Sequence, residues 1–177
     1  QIFRAGSATL KYCIDRMLTK FEKVTVVSAL GNHDQDAAFA MAMVMEAYYH
    51  KEPRVVIAQP EQKFHFLEWG KCLIGIHHGD KINAHRLCGT MTRLQAEAWG
   101  RTNFKRWWLG HIHHKTAQEH DSGITLESFH TLAQSDKWHA QSGYGAESRI
   151  TMITLHKEWG EVSRMSPSLN LVRDSAA

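Results

Sequence analysis

The sequence predicts a mixed α/β fold, shading into α+β toward its C-terminal end, and three observations carry that reading. Short apolar runs at residues 24–30, 72–76 and 107–109 each pass straight into a loop that carries Gly and His. Between those runs lie longer segments whose apolar residues recur at helical spacing. From Thr116 onward the texture changes to short strands broken by turn residues. Polar side chains gathered behind buried strands occupy the carboxyl ends at which open α/β sheets place their sites.

Residues 2–21 read as an amphipathic helix, with Leu10, Ile14, Met17, Leu18 and Phe21 on one face. Residues 24–30 read as a buried strand that Gly31 ends. Residues 37–49, apolar nearly all round and rich in Ala and Met, read as a packed helix. Pro53 stops that region, and residues 54–58 give a short strand. Residues 64–69 and 72–76 form a hairpin turning at Gly70-Lys71. Residues 83–100 read as a helix with a glycine stop, and 105–109 as a strand. Then come strands at 116–119 and 124–129 around an Asp121-Ser122-Gly123 turn, a short helix at 135–141, and a closing hairpin, 149–156 with 161–165. The tail after Pro167 reads as loose. Without repeats or low-complexity linkers, residues 1–166 read as part of a single domain and 167–177 as a flexible tail.

The bulk properties narrow the class. A chain of 177 residues with 43% hydrophobic and 22% charged content suits one globular domain and excludes a disordered one. No apolar stretch has the length of a membrane span, and no signal-peptide pattern opens the chain. Three unpatterned cysteines read as buried free thiols in a reducing cytoplasm. A net charge of +3 is compatible with an anionic substrate and too weak to demonstrate nucleic-acid binding. Histidine stands out, with thirteen residues of the commonest metal-ligating type. Five of them (His50, His65, His120, His130 and His156) have no motif around them and read as surface or core residues.

The other histidines fall mainly in three motifs. In Gly31-Asn32-His33-Asp34 the glycine permits a tight turn and the Asn32 carbonyl is a hard oxygen ligand. His33 is placed to face a bound phosphate as general acid or positive clamp. The bland alternative is an Asn/Gly-rich turn. In His77-His78-Gly79-Asp80, strand alternation sends His77 to the face opposite His78, so His77 reads as a packing or supporting residue and Asp80 as a loop acid. In Gly110-His111-Ile112-His113 the i, i+2 spacing, on an extended segment, turns both imidazoles to one side. His114 breaks that alternation. Residues 101–108 mix bases with aromatics as a single-strand nucleic-acid surface does. The plainer reading has Trp107 and Leu109 alternating in a buried strand, with Arg101, Lys105 and Arg106 solvating its entry.

In this order the three motifs resemble the last three of the calcineurin-like metallophosphoesterase superfamily, and the chain is similar to its phage and prophage members. The resemblance covers the C-terminal two-thirds of such a domain. It implies a metallophosphoesterase-type β-sandwich flanked by helices, with the N-terminal part absent: neither Asp-x-His nor Gly-Asp-x-x-Asp, the family's first two motifs, occurs in the chain. The chain thus reads as a piece of a longer enzyme, inactive or weakly active alone, its incomplete sheet inviting self-association. By resemblance Asn32, His78 and His111 hold one divalent ion and His113 contributes to a second, the pair being Mn, Fe, Zn or Co with Mn favoured. His33 is the implied catalytic residue. The implied reaction is phosphodiester or phosphomonoester hydrolysis by a hydroxide that two metals activate. Asp34, where the Ser/Thr phosphatase branch commonly has Glu, leans away from that branch and leaves nuclease, cyclic-nucleotide phosphodiesterase and nucleotidase branches open, and with them nucleic acid or a nucleotide as substrate. The alternative is a metal-binding or protein-interaction module of the same fold without catalysis.

Overall fold

The computed structural model of the chain describes residues 1–58, 61–112, 115–132 and 148–169. The chain divides into two compact units, residues 1–65 and 66–177.

The first unit contains α1 (Ile2–Leu18), β1 (Val24–Val26), α2 (Gln35–Tyr49) and β2 (Val55–Ile57). β1 and β2 pair in parallel, Val24 opposite Val55 and Val26 opposite Ile57. Ile14, Val24, Met45 and Tyr49 form the buried core, and Leu10, Leu18, Met41, Val55 and Ile57 pack around it. Helical spacing in α1 thus meets the strand pair as the periodicity predicts, whereas α2, expected to pack nearly all round, leaves Phe39, Met43, Val44 and Tyr48 exposed. The polar end of Tyr49 is also satisfied: its hydroxyl donates to Asp15 at 2.7 Å and lies 3.1 Å from the Lys11 carbonyl. Burial pushes the Tyr49 phenol up, and the Asp15 carboxylate adds to that.

Two boundaries differ from expectation here. α1 stops at Leu18, because the Thr19 hydroxyl donates to the Arg16 carbonyl at 2.7 Å and Phe21 lies out in solvent. The strand expected over 24–30 is laddered only over Val24–Val26. Its partner is equally short, and the last bond runs from Ala58 N–H to Val26 C=O. Residues 27–30 continue half-buried to the first motif.

The second unit is built on β3 (His65–Trp69, its first residue at the unit boundary), β4 (Cys72–His77), β5 (Phe104–Leu109), β6 (Thr116–Glu119) and β7 (Ile124–Ser128). They form one sheet in the order β3-β4-β5-β7-β6. β4, β5 and β7 run parallel, with Ile76 opposite Trp108 and Trp108 opposite Glu127, while β6 is antiparallel to β7. The α/β class expected from the sequence is the class adopted. β4 reads as a near-continuous apolar run because the Cys72–Gly75 stretch is buried throughout.

Trp107 is the centre of this unit and is wholly buried. Its ring lies against Gly75, where an added Cβ would sit 2.5 Å from the indole. Its N–H donates to the Leu87 carbonyl at 3.1 Å and Phe66 meets it edge-on. One side chain thereby ties the sheet to α3 (Ala84–Leu94). The single helix expected over 83–100 is two: Gln95 leaves helical geometry and α4 (Ala96–Arg101) restarts, carrying Ala98 into the core. Gly100 is not the stop. Thr102 is, its N–H and hydroxyl both donating to the Ala98 carbonyl.

β8 (Met152–His156) and β9 (Gly160–Met165) form the closing hairpin. A chain of charges joins it to the sheet. Arg164 pairs with Glu127, whose side chain is only 3% exposed, and with Glu161, which also takes Arg106 at 2.5 Å. The tail is not loose from Pro167: Ser168 bridges to Arg149 and the Leu169 N–H reaches the Ser148 carbonyl. Residues 170–177 and the helix expected at 135–141 lie outside the described residues. Cys72 and Cys88 are buried free thiols as expected, whereas Cys13 is exposed. No helix among the described residues is long and apolar enough to cross a membrane.

Candidate metal centre

The parallel strands β4 and β5 end side by side, His77 opposite Leu109. The loops that follow are therefore neighbours, and they carry the second and third motifs. Backbone joins them first: the Gly110 N–H donates to the His78 carbonyl at 2.9 Å. The loops approach so closely that a Cβ on Gly79 would lie 3.4 Å from that of His111, and Gly79 has φ +106°, a conformation open to glycine.

This approach brings His78 and His111 together. His111 Nδ1 lies 3.3 Å from His78 Nε2, with the rings edge-on and 5.1 Å between centroids. His78 is half-buried and His111 exposed. Two imidazole nitrogens sharing a tetrahedral ion at metal–nitrogen distances of ~2.0–2.1 Å sit about 3.3 Å apart. The observed separation fits two adjacent positions on one such ion, and equally a hydrogen bond in which one ring N–H faces the other ring's lone pair. Two imidazoles suit Zn or Fe better than a hard, oxygen-seeking cation.

One premise of the sequence reading fails here. β5 ends at Leu109, and His111 has φ +66°, in the left-handed region. The segment is not extended at His111, so strand alternation does not decide where its ring points. The turn toward His78 does. His113 and His114 lie outside the described residues.

Asn32 and His33 belong to the first unit, in the loop between β1 and α2. Asn32 is half-buried and His33 exposed. Asp34 is the N-cap residue of α2, and its carboxylate accepts the Gly31 N–H at 3.0 Å, closing the motif on itself. Among the described residues no group of three or more His, Cys, Asp or Glu is gathered to hold a metal. The assembled element is the imidazole pair.

The basic stretch is accounted for inside the second unit. Arg101 makes a bidentate pair with Glu68 at 2.6 and 2.7 Å, and Arg106 pairs with Glu161. Lys105 lies over the Trp99 ring at 4.7 Å and donates to the Thr102 carbonyl, while burial pushes its amine down. His65 is buried and its imidazole is held below the usual histidine range by that burial. His85, which no motif marks, lies 6.4 Å from His120 between ring centroids. Only chain topology brings those two together.

The sequence matches no protein-family model, and none of the curated proteins matches it. Among solved structures, it is similar to wild-type Vps29 from Entamoeba histolytica, described as complexed with zinc, at 13% identity and a TM-score of 0.41. That likeness covers 90% of this chain and 89% of the other. It is also similar to a conserved protein from Streptococcus pneumoniae, described as a predicted phosphoesterase, at 15% identity and a TM-score of 0.32, covering 81% and 96%. Likenesses this distant carry no argument about the site.

Proposed function

We propose that this chain carries metal-holding elements of a phosphoesterase that hydrolyses a phosphodiester or phosphomonoester. The observation behind the reading is the 3.3 Å approach of His78 and His111 at the carboxyl ends of two parallel strands. In this reading His78 and His111 would hold one divalent ion, and Asn32 and His113 are the further ligands that the family resemblance implies. Such ions supply Lewis acidity toward the phosphoryl oxygens and lower the pKa of bound water. His78 and His111 serve as neutral rings, each presenting one nitrogen lone pair. His33 delivers its imidazole proton to the leaving oxygen, or as imidazolium offsets the charge that builds on the phosphoryl group. Arg101 and Arg106 are engaged with Glu68 and Glu161.

A specific observation favours a second reading, a metal-binding module without catalysis. No cluster of three ligating side chains occurs among the described residues, and no Asp-x-His occurs in the sequence. One experiment separates the two: Mn uptake by equilibrium dialysis alongside hydrolysis of bis-p-nitrophenyl phosphate. The catalytic reading expects Mn-dependent turnover that His33→Ala lowers by roughly 10²-fold or more while the metal stays bound. Metal bound without turnover supports the module. Wild-type protein that neither takes up metal nor hydrolyses the ester overturns both.

A further inference from the structure

His77 is the last residue of β4 and is 5% exposed, yet its ring does more than fill space. Its Nδ1 accepts the Gly79 N–H at 2.8 Å. That N–H belongs to the same peptide unit as the His78 carbonyl, which accepts the Gly110 N–H at 2.9 Å. The 78–79 peptide is thus gripped at both poles, by a side chain on one edge and by the neighbouring loop on the other. A peptide plane held at both ends fixes ψ of His78, and with the strand fixing the other side of that residue, its Cα–Cβ direction is set. The imidazole 3.3 Å from His111 is aimed by this plane.

We propose that His77 is a positioning residue for His78: its Nδ1 clamps the 78–79 peptide and so holds the His78 ring in register with His111. This rests on the metal-centre reading above. The clamp also dictates a tautomer, since accepting a hydrogen bond at Nδ1 requires the lone pair there and the proton on Nε2. Two other histidines make the same local bond. His120 Nδ1 accepts from Ser122 N–H, and His156 Nδ1 from Glu158 N–H. Both of those bonds are exposed and neither residue precedes a member of the pair, which makes His156 a natural control.

The test compares His77→Phe, which keeps an aromatic body without the acceptor, with His77→Asn, whose Oδ1 takes the place of Nδ1. His156→Phe serves as the control. Two readouts are taken on the full chain: Zn affinity by competition with a chromophoric chelator, and nitrogen NMR of the His77 tautomer with hydrogen exchange at Gly79. The expected result is Zn binding weakened about 10- to 100-fold in His77→Phe, largely restored in His77→Asn and unchanged in His156→Phe. In the wild type, Nδ1 of His77 is unprotonated and Gly79 is protected. Equal affinity in His77→Phe and the wild type, or no recovery in a folded His77→Asn, overturns the proposal. Wild-type protein that takes up no Zn overturns the metal reading instead. The clamp is then judged on NMR alone, where a protonated Nδ1 or a freely exchanging Gly79 overturns it.

Discussion

The two units carry similar motifs and hold them differently. In the second unit, the loops bearing His78 and His111 grow from adjacent strands of a five-stranded sheet, and a backbone hydrogen bond ties one loop to the other. In the first unit, the loop bearing Asn32 and His33 follows a three-residue strand, and the Asp34 carboxylate accepts the Gly31 N–H. The difference shows that a ligand's pre-organisation comes less from its own motif than from the width of the sheet behind it. A broad sheet over-determines where its loops begin, whereas a two-strand ladder leaves that to local turn chemistry.

The largest expected effect comes from breaking the frame under the second unit's loops. Arg164→Met leaves the Glu127 carboxylate buried without its bidentate partner, beside Trp108 and one residue before the strand ends. Loss of one partner from a buried pair costs about 3–5 kcal/mol, and calorimetry should show the drop. Pairing it with Glu127→Gln should recover part of the loss. The same network sets an acid limit. The Arg164 hydrogen bond, with Arg106 adding to it, holds the Glu161 carboxyl below the usual range against the effect of burial. A depressed carboxyl contributes stability above its unfolded value of about 4.3, and that stability is lost as pH falls through the folded value. Acid titration below about pH 4.3 should destabilise the wild type more than a Glu161→Gln variant.

A middle-sized effect is expected at Gly79. Gly79→Ala must adopt φ +106° and press on the His111 Cβ, at about 1–3 kcal/mol. If the comparison holds, Zn affinity falls further than stability does, because the strain lands on the interlocked loops. Equal losses in both would mean that the interlock adds nothing to the imidazole pair. The smallest effect belongs to the first unit. Asp34→Ala removes the Gly31 tie, for about 1 kcal/mol by chemical denaturation. A loss above about 3 kcal/mol would show that this loop is held as firmly as the others.

The parts of the fold that could be read from sequence were those set by burial over several residues. The run at 72–76 becomes β4, and the Gly70-Lys71 turn and the Gly123 turn fall where their chemistry puts them. Helix and strand ends were less legible because partners set them: β1 stops where β2 runs out, and α3 bends at Gln95 without a proline or glycine to announce it. At the site, the pairing of His78 with His111 follows from β4 and β5 being adjacent and parallel, which no motif states. The left-handed turn at His111 was illegible, since even the non-glycine types enriched at positive φ adopt it at only a small minority of positions. So was the grip of the His77 ring, whose only trace is a glycine two residues on.

The charges on Arg106, Glu161, Arg164 and Glu127 alternate in sign across β5, β9 and β7. Such a chain constrains inheritance as well as folding. A neutral change at any one link strands the next, so substitutions there survive in lineages only as compensating pairs. These positions should therefore co-vary among descendants, while Glu97, 95% exposed beside Arg101, drifts freely.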